Sequence, residues 1–247
     1  MNIRDEAVLR ELNLHPLWVR RNMPVAEPPH VGRLAATQDI APAVMSAMAA
    51  APAVSTEQSL SVPERMDWDT LKAQVQGCTA CKLRAGCIQT VFGVGDEQAD
   101  WLFVGEGPGA DEDERGEPFV GQAGKLLDNM LAAIKLKRGQ NVYIANIVKC
   151  RPPNNRTPEA DEIATCLPYL QQQIALIQPK LIVALGKTAA TSLLGREATL
   201  GSFRGSVHDY RGTPLIVTYH PSYLLRSPSE KAKAWQDLLF AVQRMNA

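Results

Sequence analysis

Apolar residues fall along this chain in two registers. Four short runs, WLFVG at 101–105, NVYIANIV at 141–148, KLIVALG at 180–186 and PLIVTYH at 214–220, are apolar and β-branched almost throughout. Runs of that length without polar alternation suit strands buried on both faces of a parallel sheet. Between them the period lengthens: residues 121–137 put Leu126, Leu127, Met130, Leu131 and Ile134 on one helical face. Thr157 as N-cap, Pro158 at the first position, and Glu159, Asp161 and Glu162 in the first turn predict the start of another helix. A last helix is expected over 228–245. The alternation predicts an α/β fold, a three-layer α/β/α sandwich around a central four-stranded parallel sheet. Ligands of such sheets bind at the carboxyl ends of the strands.

Ahead of Asp67 this pattern is missing. Residues 22–66 are dominated by Ala, Pro, Val and Ser, as in APAVMSAMAAAPAVSTEQSLSVPE. Such a stretch buries too little side chain to offset its ordering entropy, so a disordered linker is expected. In residues 1–21, Val8, Leu9, Leu12 and Leu14 share one helical face. A weakly ordered tail and a short docking helix for a protein partner, anchored by Trp18, both fit that segment. The expected organisation is therefore a short N-terminal segment (1–21), a disordered N-terminal extension (22–66) and a catalytic-size domain (67–247).

Charge and composition narrow the classes. Lys plus Arg and Asp plus Glu both number 26, so any nucleic-acid surface has to be a local patch. There is no signal-peptide core and no apolar run long enough to span a bilayer. A monomer in the cytoplasm, associated with the nucleoid, is expected. There thiols stay reduced, and cysteine is more often a metal ligand than half of a disulfide.

Five cysteines occur. Cys78 and Cys81 form a C-x-x-C pair, Cys150 follows a strand, and Cys166 lies on the next predicted helix. Because Cys150 and Cys166 are too far apart to form a second knuckle, the spacing leaves zinc and an iron–sulfur cluster both open. Cys87 is a spare, read as a packed residue or a substitute for Cys81. The strand at 101–105 runs straight into GEGPGADEDERGEPFVGQAGK. Its glycines allow a tight turn, yet Pro108 removes an N–H and Asp111, Glu112, Asp113 and Glu114 would repel a pyrophosphate, so this is no phosphate cradle.

Three blocks, GEGPGADEDERGEPFVGQAG (105–124), NIVKCRPPNNRTP (146–158) and HPSYLLR (220–226), resemble the family 4 uracil-DNA glycosylases, the iron–sulfur branch of that superfamily. The likeness runs from Asp69 to the C-terminus and excludes the first sixty-odd residues. It implies that Cys78, Cys81, Cys150 and Cys166 bind a [4Fe–4S] cluster in a structural role. It also implies excision of uracil from DNA, which requires the base to leave the stack. On that resemblance Phe119 stacks against the extruded uracil, and Asn146 pairs with its O4 and N3–H. Neutral His220 donates to the anion developing near O2. The aspartate that orients water in better-known uracil glycosylases is replaced by Gly107, so Glu106 and Glu112 are the candidates for that role, with Asp113 third. Gly109 stands where those enzymes carry a thymine-excluding Tyr.

Leu224 or Leu225 is expected to wedge into the duplex, with Arg226 and Arg151 on phosphates. Lys149, Arg156 and Arg204 are further phosphate candidates. The expected reaction is monofunctional hydrolysis releasing free uracil and leaving an abasic site; no lysine stands as an amine nucleophile. The alternative class is a noncatalytic iron–sulfur DNA-binding module recruiting a polymerase or repair partner. A variant that traps DNA covalently is disfavoured, because no His-bearing basic insertion precedes residues 202–207.

Overall fold

The computed structural model describes residues 67–246, so the expectations for the N-terminal segment and linker lie outside the described residues. The four apolar runs form parallel strands: β2 (Trp101–Gly105), β3 (Val142–Asn146), β4 (Leu181–Leu185) and β6 (Thr213–Thr218). Two short strands the pattern did not predict extend the sheet to six, in the order β1-β3-β2-β4-β6-β5. These are β1 (Val94–Gly95) and β5 (His208–Tyr210), and each runs antiparallel to its neighbour at an edge. Reversing the edges gives the parallel core partners without a crossover helix.

Alternation along the strands divides the core in two. Leu102, Val104, Ala145, Ile182, Ala184 and Val217 point to one face. There they meet helices α1 (Trp68–Gln76), α4 (Ala160–Ile177) and α5 (Lys187–Leu194) through residues such as Leu170, Ile174, Ala189 and Ala190. Phe103, Ile144, Val183, Leu185 and Ile216 point to the other. They are covered by Leu127, Met130 and Leu131 of α3 (Gln122–Ala133), Leu224 of α7 (Pro221–Arg226), and Ala234 and Leu238 of α8 (Lys231–Met245). The three layers are those the pattern predicts. Two small helices complete the set, α2 (Ala110–Arg115) in the acidic loop and α6 (Leu200–Phe203).

The second long helix starts later than Thr157. Its N-cap is Glu159, and the Glu159 main-chain N–H donates to Glu162 at 2.7 Å in a capping box. Arg156 then closes on Glu162 with both terminal nitrogens, at 2.8 and 2.7 Å, which holds that carboxyl down to about 2. This ion pair draws residues 156–159 out of helical geometry and moves the start to Ala160.

Candidate active site

In chain order the parallel strands are β2, β3, β4 and β6, but β3 lies on one side of β2 and β4 on the other. The chain reverses direction between β2 and β4, and loops leaving that point diverge to open a crevice at the strands' carboxyl ends. A cavity of about 470 Å³ lies there. Glu106, Phe119, Asn146, Thr188, His220 and Arg226 all line it.

Gly105 ends β2, and any Cβ there would collide with both Asn146 Oδ1 and the Phe119 ring. Those two side chains therefore converge over a position that only glycine can hold. The Phe119 ring in turn faces the His220 ring, with centroids 5.5 Å apart. Phe119 has φ 56°, a left-handed conformation that a bulky side chain rarely adopts. The backbone is held there from two sides. Arg138 donates to the carbonyls of Pro118 and Phe119, each at 2.7 Å, and Glu112 Oε1 accepts from the N–H groups of Val120 and Gly121 at 2.9 and 3.0 Å.

The loop's three central acids are differently occupied. Glu112 Oε2 also accepts from Gly109 N–H at 3.0 Å, so both its oxygens are engaged with main chain. Asp113 is buried and accepts from the N–H groups of Ile88 and Gln89. Glu106 alone has no main-chain donor; one oxygen takes a hydrogen bond from the Thr188 hydroxyl. Glu112 and Asp113 thus brace the loop, and of the two glutamates that line the cavity Glu106 is the one with an unengaged oxygen. At Gly107, which lines the cavity, a Cβ would stand 2.7 Å from Cγ2 of the buried Val148, so a side chain there requires Val148 to shift.

Asn146 is buried, and its Oδ1 has no hydrogen-bond partner. An orphan acceptor of this kind costs about 1–3 kcal/mol. His220 follows β6 and caps α7: its Nδ1 accepts from the Ser222 N–H at 3.1 Å and sits 2.8 Å from the Ser222 hydroxyl. With Nδ1 the acceptor, the ring proton resides on Nε2. Burial, helped by the positive Arg226, pushes the imidazole pKa down to about 4, so the ring is neutral near pH 7.

The DNA-side expectations separate. Leu224 is 1% exposed and packs in the core, whereas Leu225 is 44% exposed, so only Leu225 is free to meet a duplex. Arg226 is exposed at the cavity rim, and Arg151 is partly exposed with its Nε bonded to Asn155. Lys149 is 1% exposed and cannot reach a phosphate; its ammonium donates to the Asn146 carbonyl at 3.0 Å and to Gln173 Oε1 at 2.6 Å. Arg204 is occupied as well, gripping Asp237 at 2.7 and 2.9 Å while Thr218 donates to the same carboxylate. Thr188, Arg138 and Ser222 were not among the expected residues. The Gly-Lys-Thr turn after the third apolar run was the one available signal, pointing to Thr188.

Across the sheet a second, small cavity is lined by Cys78, Cys81, Cys150 and Cys166, with Lys149 and Tyr169. Burial raises the thiol pKa of both Cys150 and Cys166, and the Lys149 N–H donates to Cys166 Sγ at 3.2 Å. Cys87 does not line this cavity. Among the described residues no three His, Cys, Asp or Glu side chains close on one point as a single ion needs. Four thiols lining one cavity are the donor set that an iron–sulfur cluster takes.

Residues 92–239 match the family model described as the uracil DNA glycosylase superfamily. The chain is 42% identical over 181 residues to a type-4 uracil-DNA glycosylase of Pyrobaculum aerophilum, covering 70% of this chain and 92% of that protein. It is 44% identical over 167 residues to one of Thermotoga maritima, covering 67% and 86%. A third, from Archaeoglobus fulgidus, is 42% identical over 168 residues, covering 65% and 84%.

Proposed function

The chain belongs to the uracil DNA glycosylase superfamily and excises uracil from DNA in repair, and we propose that the cavity at the β2/β4 crevice does this with Asn146, Phe119, His220 and Glu106. The buried, unpartnered Asn146 Oδ1 carries the reading. Uracil N3–H fills that acceptor while the amide N–H meets O4. Cytosine presents the opposite order and leaves buried groups unpaired, the costly kind of mismatch. Phe119 offers a face for the extruded ring.

Breaking the N-glycosidic bond leaves positive charge on the deoxyribose and negative charge on uracil. His220, neutral and with its proton on Nε2, donates a hydrogen bond where that negative charge grows. Glu106 accepts a hydrogen bond from the water that adds to C1′ and takes its proton. The products are free uracil and an abasic site. Leu225 enters the space left by the base, and Arg226 and Arg151 contact phosphates. Cys78, Cys81, Cys150 and Cys166 hold a [4Fe–4S] cluster, which ties three separate chain segments together and takes no part in hydrolysis.

The test is excision from a uracil-containing oligonucleotide, read on a gel after alkaline cleavage of abasic sites. His220→Ala should lose about 10²–10³ in rate, the scale for one donor to a developing anion, while retaining the brown cluster. Full activity in that variant removes the imidazole from the mechanism. A wild-type protein that binds the oligonucleotide without turnover returns the reading to a noncatalytic DNA-binding module.

A further inference from the structure

We infer that Thr188 is a positioning residue for hydrolysis: its hydroxyl holds one oxygen of Glu106 and so turns the other toward the attacking water. The inference rests on the proposed role of Glu106 and adds a residue from a different strand's loop.

Glu106 leaves the end of β2, and Thr188 sits in the first turn of α5, just beyond β4. Their hydrogen bond spans the crevice between the two strands where the sheet reverses direction, joining residues 82 apart in sequence. Thr188 Oγ1 lies 2.5 Å from Glu106 Oε2, within the range of a hydroxyl donating to an ionised carboxylate. It is the one hydrogen bond this carboxylate makes among the described residues, so the other oxygen keeps its lone pairs for water. Glu112, by contrast, has no oxygen to spare.

Thr188 is itself well fixed. A β-branched side chain in a helix has few χ1 choices. The turn before it is made by Gly186 at φ 91°, where an added Cβ would meet His220 Cβ at 3.0 Å. The Gly186 N–H donates to the Thr218 carbonyl at 2.8 Å, two residues before His220. One turn thus packs its glycine closely beside His220 and holds the carboxylate with its threonine.

Single-turnover excision under saturating enzyme, with steady-state KM for the oligonucleotide, tests this on the full chain. Thr188→Val keeps the branched shape and removes the donor. The rate should fall about tenfold or more, as for loss of a hydrogen bond to a charged group, with KM within about twofold. Thr188→Ser restores the donor and should recover most of the rate. In a Glu106→Gln background, Thr188→Val should change nothing further. Iron content and Tm should match the parent in each variant; should Thr188→Val fold poorly, Thr188→Ala against Thr188→Ser gives the same contrast. A raised KM with unchanged rate would make Thr188 a DNA contact and overturn the inference. So would a full additional loss in the Glu106→Gln background, or failure of Ser to exceed Val or Ala. The failure of the underlying reading looks different: Glu106→Gln alone would retain wild-type turnover.

Discussion

The cavity at the β2/β4 crevice and the cysteine cavity draw on one short segment, residues 146–150, yet they are built on opposite plans. On the cavity side the protein supplies its own supports. Ser222 fixes His220, Thr188 holds Glu106, Arg138 and Glu112 hold the Phe119 turn, and Lys149 holds the Asn146 backbone. Asn146 Oδ1, His220 Nε2 and one Glu106 oxygen are left for a ligand and its water. On the cysteine side, burial favours the protonated thiols of Cys150 and Cys166, and protonated thiols do not bind iron. In the proposed reading that region is completed by the cluster it would hold. The difference teaches that the proposed recognition site is held by the fold's own hydrogen bonds, whereas the proposed cluster would fasten the Cys78–Cys81 loop from outside the polypeptide.

The largest effect should come from breaking the cysteine side. Cys150→Ser is expected to lose iron and sulfide and to lower Tm by about 10 °C or more, since a structural metal contributes several kcal/mol to folding. Normal iron content and Tm would end the fastening role. The next sharpens the contrast from the other side. Asn146→Ala should reduce kcat/KM for uracil about 10–100-fold while Tm stays within about 2 °C or rises, because removing an unpaired buried acceptor relieves a cost. A large loss of Tm would mean that Asn146 supports the fold.

The smallest effect concerns protonation. His220 titrates near 4 instead of the usual 6.5, so its ring resonances in NMR should stay those of neutral imidazole down to about pH 5. Excision should show no imidazole step between about pH 5.5 and 7.5. For stability the sign is fixed: between about 6.5 and about 4 the unfolded chain binds this proton more readily than the folded one. Stability from this group is therefore intact above 6.5 and is lost as pH falls toward 4. A ring that titrates near 6.5 in the folded protein would refute the neutral donor.

The pattern of residues disclosed the parallel core and both helical layers, because strands buried on two faces read as unbroken apolar runs. It did not disclose β1 or β5, which are two and three residues long and carry Gly, His and Asp where an apolar signal would be needed. The helix at 160–177 was found but its first turn misplaced, because the deciding pair, Arg156 with Glu162, forms only in three dimensions. Motif resemblance named Phe119, Asn146 and His220, which the structure brings together at one cavity. It could not choose between Leu224 and Leu225, adjacent residues on a six-residue helix, until burial separated them. Thr188 and Arg138 escaped because their partners lie 82 and 19 residues away. Lys149 and Arg204 were given to phosphates on charge alone, and the fold had already committed both to interior partners.

The left-handed backbone at Phe119 has a consequence for how this molecule can change. A bulky residue in that conformation stores about 1–3 kcal/mol that glycine would not. Phe119 is nevertheless buried among Leu126 and Leu127, and its exchange for glycine would forfeit about 3–5 kcal/mol of packing, more than the strain it relieves. Backbone strain and side-chain packing thus oppose each other at this one peptide unit, and the packing holds the residue in place.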